Sequence, residues 1–186
     1  IVDCKKLNLV VRYAKKHKFG IMYKKMSGQL RLVCWSDAAF KSIPEDSAGL
    51  ALPGCRILLT GDHDLSPAAI DQQCHLVEYM SKRQRRVVRS TFSAELNALI
   101  DALEVAILVQ MAYHQIANGG GQTATELAAE LEGGRLMPRI DAVVDAKAVF
   151  DAIAATDVCN PLECSLKLHL LSLRDKLAQG ILKRLF

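Results

Sequence analysis

The chain has 186 residues, 51% hydrophobic and 24% charged, which suits one sizeable globular core and excludes a disordered segment. No apolar run approaches the roughly 18–20 residues needed to span a bilayer, so no transmembrane helix is expected. The net charge of +4 hides an asymmetry: residues 1–31 hold nine Lys or Arg and one acid, Asp3, while the rest hold 15 basic and 19 acidic residues. A basic arm on a mildly acidic body points to a polyanion partner, although a solvated helix face would give the same pattern.

The first residues, Ile1-Val-Asp-Cys-Lys-Lys, offer neither a start methionine nor the apolar core of a secretory signal, and read as a piece cut from a longer protein. Leu7, Val10, Val11 and Ala14 then recur at the spacing of an amphipathic helix, with lysines on its other face and Gly20 closing it. Ile21–Lys25 and Leu30–Ser36, joined by Met26-Ser-Gly-Gln, predict a hairpin with Gly28 in its turn. Residues 38–53, with Pro44, Gly49 and Pro53, read as loop. Gly54–Thr60 and Cys74–Met80 read as strands, with a polar turn from Gly61 to Pro67 between them.

Five basic residues, Lys82, Arg83, Arg85, Arg86 and Arg89, run straight into a helix start, where Ser90 or Thr91 can serve as the N-cap. Phe92, Leu96, Leu99, Leu103, Ile107 and Met111 mark one face of that helix over five turns, until Asn118-Gly-Gly-Gly stops it. A short helix over Thr123–Leu131, a strand over Arg139–Val144, helices over Ala146–Ala154 and Leu162–Gln179, and a strand from Ile181 to Phe186 complete the chain. Strands first, then strands alternating with helices, argue a mixed β-sheet with helices packed on it.

The six cysteines contain no CxxC pair, and several lie in apolar runs, which favours a reducing, intracellular compartment. Cys159, Cys164 and His169 lack a fourth ligand and match no common zinc spacing. Three carboxylates are better placed. Asp37 follows the run Leu30–Ser36, Glu95 sits in the first turns of the long helix, and Asp145 follows Arg139–Val144. Acids at strand ends collect at one edge of an α/β sheet, repel one another unless cations neutralise them, and offer the hard oxygen ligands that suit Mg²⁺ or Mn²⁺. Two such ions can activate a water and stabilise the leaving oxygen of a phosphodiester. Taken alone, each acid is also an ordinary strand-end or helix-start residue.

The segments Leu-Arg-Leu-Val-Cys-Trp-Ser-Asp37-Ala-Ala-Phe, Ser81-Lys-Arg-Gln with Ser93-Ala-Glu95-Leu-Asn-Ala-Leu, Val-Val-Asp145-Ala-Lys-Ala-Val and Leu173-Arg-Asp-Lys-Leu together resemble the ribonuclease H domain of copia-type retrotransposon polyproteins. The resemblance covers nearly the whole chain. It implies a ribonuclease H-like fold and two-metal hydrolysis of RNA in an RNA–DNA hybrid, with Asp37, Glu95 and Asp145 as metal-holding catalytic acids. It also implies that residues 1–28 connect to a reverse transcriptase domain of the same polyprotein, with the ribonuclease H-like domain in 29–186. Lys82–Arg89 would track phosphates, since such cations neutralise backbone charge without reading sequence. The same cluster could instead be an edge strand guarded against aggregation.

The chain departs from the family in three places. Ala146 stands where Asn is common after the third acid, and Lys167 where Asp is common. The family's fourth acid lies after the last strand, within which this chain stops. The expectation is therefore a fragment of weak or no activity, with its final strand poorly held in register. The rival reading is a non-catalytic remnant that keeps the fold and at most binds nucleic acid. An integrase-like core also uses three carboxylates, but places its glutamate last.

Overall fold

The computed structural model describes residues 8–9, 11–13, 15–16, 23–26, 28–40, 51–61, 74–84, 87–157 and 164–186. Strands β1 (Leu30–Ala39), β2 (Leu52–Gly61) and β3 (Cys74–Ser81) precede helices α1 (Thr91–Ala117) and α2 (Ala124–Glu132). Strand β4 (Arg139–Val144), helices α3 (Lys147–Ala154) and α4 (Cys164–Ala178) and strand β5 (Leu182–Leu185) follow. The five strands form one sheet in the order β3-β2-β1-β4-β5. β2 runs antiparallel to both β1 and β3, and β4 and β5 join parallel to β1. This is the mixed sheet with helices packed on it expected of a ribonuclease H-like α/β fold.

Alternation along the strands separates two faces. Leu32 and Cys34 of β1, Cys55 and Ile57 of β2, Ile140, Ala142 and Val144 of β4, and Leu182 of β5 are buried in one core. Leu96, Leu99, Leu103, Val149, Ile153, Leu166, Leu170 and Leu173 of the helices close it. Helix α1 lies across β1, β2 and β4. Ala94, Ala98, Ala102 and Ala106, spaced one turn apart and no more than 1% exposed, bring its backbone close to the sheet. Ser90 caps the helix, its Oγ accepting from the Ser93 N–H at 3.1 Å. Asn118 caps the other end, and Gly119, Gly120 and Gly121 take positive φ beyond it.

Several sequence expectations change. β1 runs past Asp37 to Ala39 because β2 pairs with it that far, with Asp37 opposite Gly54 and Ala39 opposite Leu52. Of the hairpin strand expected over Ile21–Lys25, residues 23–25 are described and form no strand; both sides of β1 are already taken, by β2 and β4. Tyr23 instead donates to the Leu76 carbonyl at 2.8 Å, and its ring meets His75 edge-on. Residues 8–9, 11–13 and 15–16 are helical and exposed; of the expected apolar stripe only Val11 is described, Leu7, Val10 and Ala14 lying outside the described residues. The turn from Gly61 to Pro67 lies outside them beyond Gly61, as do Cys4 and Cys159. Nor is the last strand loose. β5 pairs with β4, with one register shift between Ile140 and Asp141, and the Phe186 N–H and C=O bond Ala142 and Val144, each at 2.9 Å.

The described cysteines are free thiols. Cys34 and Cys55 are buried as small hydrophobes, and burial, reinforced by Cys55, pushes the Cys34 thiol up to about 12. No helix among the described residues is long and apolar enough to cross a membrane.

One buried carboxylate ties three strands together. Asp141 of β4 is fully buried and lies between Arg184 of β5, at 2.7 Å, and Arg31 of β1, at 3.3 Å. Asp141→Ala should destabilise the fold by about 2–4 kcal/mol, somewhat below a fully buried pair because both guanidinium groups reach solvent. Asp151→Ala, which breaks the exposed Lys147–Asp151 pair at 2.7 Å, should cost about 0.5 kcal/mol or less. Urea midpoints of the two variants measure the contrast.

Candidate active site

Asp37, Glu95 and Asp145 converge at one edge of the sheet. Each offers a carboxylate oxygen, and these three oxygens lie within 4.8 Å of one another. Three elements position them. Asp37 projects from β1, Glu95 comes from the second turn of α1, and Asp145 directly follows β4, which runs parallel to β1. Asp37 and Asp145 are exposed, whereas Glu95 is only 5% exposed.

Burial and crowding act together on Glu95. Loss of water, then the Asp145 and Asp37 carboxylates, push its carboxyl up to about 7, against a smaller opposing effect from a backbone hydrogen bond at Ala38. Its Oε2 is buried and has no hydrogen-bond partner among the described residues. An orphaned carboxylate oxygen facing two further carboxylates is a donor set that fits a hard divalent cation.

An open groove of about 710 Å³ adjoins the cluster, holding Asp37 and Asp145 at one end and Trp35, Arg56 and Tyr79 beside them. Sequence reading did not single out these last three. The available signal was the period of two: Trp35 shares the face of Asp37, and Arg56 is a lone charge inside an apolar strand. Gly54, opposite Asp37, leaves the groove floor free of a side chain.

The basic stretch is only partly displayed as expected. Arg83 and Arg89 are exposed. Lys82 is exposed too, but its Nζ lies 3.2 Å from Asp101 of α1, so part of its charge is already answered within the fold. Arg85 and Arg86 lie outside the described residues. The neighbouring Gln84 is buried, and its backbone N–H bonds the Ala51 carbonyl at 2.8 Å. Ala146 is the N-cap of α3 and supplies no side-chain cap hydrogen bond. Alanine has no side-chain acceptor, so the helix start beside Asp145 goes without a capping bond.

No protein family and no curated protein matches the chain. Among solved structures it is similar to LC11-RNase H1, isolated from compost and seen with an RNA/DNA hybrid, at 14% identity over 83% of this chain and 80% of that one, with a TM-score of 0.43. It is also similar to the N-terminal RNase H domain of a Mycobacterium tuberculosis protein, at 13% identity over 84% of this chain and 78% of that one (TM-score 0.40). A third is the prototype foamy virus protease-reverse transcriptase, at 11% identity over 88% of this chain and 18% of that one (TM-score 0.42).

The Glu95 shift sets a stability profile when divalent ions are removed. Below about pH 4.5 its carboxyl is protonated in folded and unfolded chains alike. Between there and about pH 7 the unfolded chain ionises while the fold keeps its proton, so this group's contribution to stability falls as pH rises and levels off above 7. In EDTA, Glu95→Gln should remove that component of the slope and be more stable than the parent at pH 8. Urea midpoints at pH 5, 6, 7 and 8 measure it, and an unchanged slope would show that Glu95 keeps an ordinary carboxyl.

Proposed function

We propose that this chain is a retroelement ribonuclease H that hydrolyses RNA in RNA–DNA hybrids with divalent cations held by Asp37, Glu95 and Asp145. The observation that carries this reading is the meeting of three carboxylates from β1, α1 and the end of β4 within 4.8 Å, one of them buried with an orphaned oxygen. Retroelement origin, the connection role of residues 1–28 and a reverse transcriptase partner rest on the sequence resemblance, as does the count of two Mg²⁺ or Mn²⁺ ions.

When bound, such cations lower the pKa of an attacking water and stabilise the leaving oxygen of the phosphodiester. The chain's own residues do the rest. Asp37 and Asp145 face the groove and remain open to a ligand, while Glu95 closes the site from the helix side. Burial and the two neighbouring acids hold a proton on Glu95 well above the usual carboxylate range, and giving it up makes the full anionic donor set available. Arg83 and Arg89 would contact phosphates outside the cluster, reading charge and not sequence. A hybrid would be recognised by groove shape and its 2′-hydroxyl groups.

The second reading is a non-catalytic remnant that binds nucleic acid. It is favoured by Ala146, which puts a methyl where the family commonly has Asn beside the third acid, and by Asp101, which holds Lys82.

The deciding experiment is cleavage of a labelled RNA–DNA hybrid with Mg²⁺, Mn²⁺ or EDTA. The nuclease reading expects metal-dependent cutting that Asp145→Asn reduces to background without loss of folding. A folded protein that binds hybrid and never cuts it selects the remnant. In the same preparation, Arg83→Ala and Arg89→Ala should each lower the slope of log affinity against log salt by about 1 for every sequence tested. Lys82→Ala should change it less than Arg89→Ala does, because Asp101 already engages that ammonium. Unchanged slopes for Arg83→Ala and Arg89→Ala would make this edge a solvated one.

A further inference from the structure

The helix layer carries a cavity that the hydrolytic reading does not use. Helices α1 and α4 pack side by side on the core face of the sheet, and between them lies a pit of about 110 Å³. Leu103 and Leu173, 1% and 2% exposed, form its floor with Ile100. Glu104, His169, Ser172 and Lys176 stand at its rim. The pit holds a few times the volume of a water molecule, but its floor is apolar, which suits an aliphatic side chain better than water. Two exposed leucines flank it. Leu108, 66% exposed, lies one turn beyond Glu104 on α1, and Leu168, 71% exposed, lies one turn before Ser172 on α4. The rim is charged without being paired. Lys176 donates to the Ser172 hydroxyl at 2.8 Å, and neither Lys176 nor Glu104 makes an ion pair among the described residues.

We propose that the α1–α4 face is a self-association surface, on which the pits of two copies of this chain face each other and Leu108 and Leu168 of both close over them. A twofold axis along the line between the two helices sets α1 of one copy against α4 of the other. Glu104 then meets Lys176 of the second copy, and Lys176 meets its Glu104, so one contact made twice answers four charges. Charge complementarity selects this occupant. A foreign segment needs a base and an acid at the spacing of Lys176 and Glu104, whereas a second copy carries both by symmetry. A partner without them would cover an ammonium and a carboxylate left unpaired, which is costly in a desolvated contact. The patch is small, so the assembly is a weak, reversible dimer and not an obligate one. It lies on the helix side of the sheet, away from the groove that holds Asp37 and Asp145, so the acidic edge stays open in both copies. The proposal is independent of the nuclease reading.

Sedimentation velocity of the whole chain, from low micromolar to a few hundred micromolar protein, tests it. A monomer–dimer equilibrium in the micromolar range is expected, weakening as salt is raised. Glu104→Lys and Lys176→Glu should each weaken association about tenfold or more, and the double variant should restore it to within about threefold of the parent. Leu168→Ser should weaken it about tenfold or more, and Leu108→Ser repeats that measurement from α1, so the test does not hang on one variant. Val77→Ala, exposed on the edge strand β3, should leave it unchanged. Urea midpoints show that each variant compared is folded. Three outcomes overturn the proposal. A particle of one chain's mass at every concentration hands the pit to a different occupant. A dimer that survives both leucine changes and both charge reversals has its interface elsewhere. Single reversals that weaken association without rescue in the double variant mean that Glu104 and Lys176 do not meet across a twofold axis.

Discussion

Ala94, Ala98, Ala102 and Ala106 allow α1 to press against the centre of the sheet, and the acidic edge depends on that contact. A helix held off by larger side chains would carry Glu95 away from β1 and β4. Ser90 fixes where the helix begins, so Glu95 arrives in its second turn, beside the strand that carries Asp37. The parallel pairing of β4 with β1 then places Asp145 on the same edge. At the far end of α1, Gln110 donates to the Leu136 and Pro138 carbonyls at 3.2 and 2.8 Å and holds the turn that leads into β4. One helix therefore sets both the position of Glu95 and the approach of the strand that delivers Asp145.

The electrostatic consequence is a site under strain from its own charge. Desolvation raises Glu95, and the Asp145 and Asp37 carboxylates, which offer oxygens within 4.8 Å of one of its own, raise it further. Such an arrangement disfavours full ionisation until positive charge is supplied. Elsewhere the fold supplies its own compensation for a buried acid, as Arg31 and Arg184 do around Asp141. At the acidic edge no arginine or lysine pairs with the three acids among the described residues. The contrast between two acid environments on neighbouring stretches of β4 is the strongest electrostatic argument for an external cation.

The two faces of the sheet divide the labour of the molecule. The face under the helices is apolar and continuous across β2, β1, β4 and β5. The other face carries arginines near one end, aromatic groups in the middle and acids near the other end. Arg31 and Arg184 serve the buried Asp141 there, whereas no partner within the described fold answers the acids Asp37 and Asp145.

Local patterns determined the elements. The period of α1, its cap at Ser90 or Thr91, the run Arg139–Val144 and the short helix from Thr123 are encoded within a few residues, and the structure reproduces them nearly residue for residue, with Ser90 as the cap. The identity of the three acids was also legible, through motif order and resemblance. Their convergence was expected from strand-end placement and the resemblance, but the pairing that produces it was not legible: β1 reaches Ala39 only because β2 runs beside it, and β4 chooses β1 as its neighbour across a hundred residues. The same cause defeated the hairpin over Ile21–Lys25. Its turn was locally reasonable, yet β2 and β4 occupy both edges of β1. Lys82 looked like a free phosphate contact until α1 brought Asp101 to it. The row of Trp35, Arg56 and Tyr79 was hidden for the same reason, since strand register, which no single strand encodes, places three residues on three strands side by side.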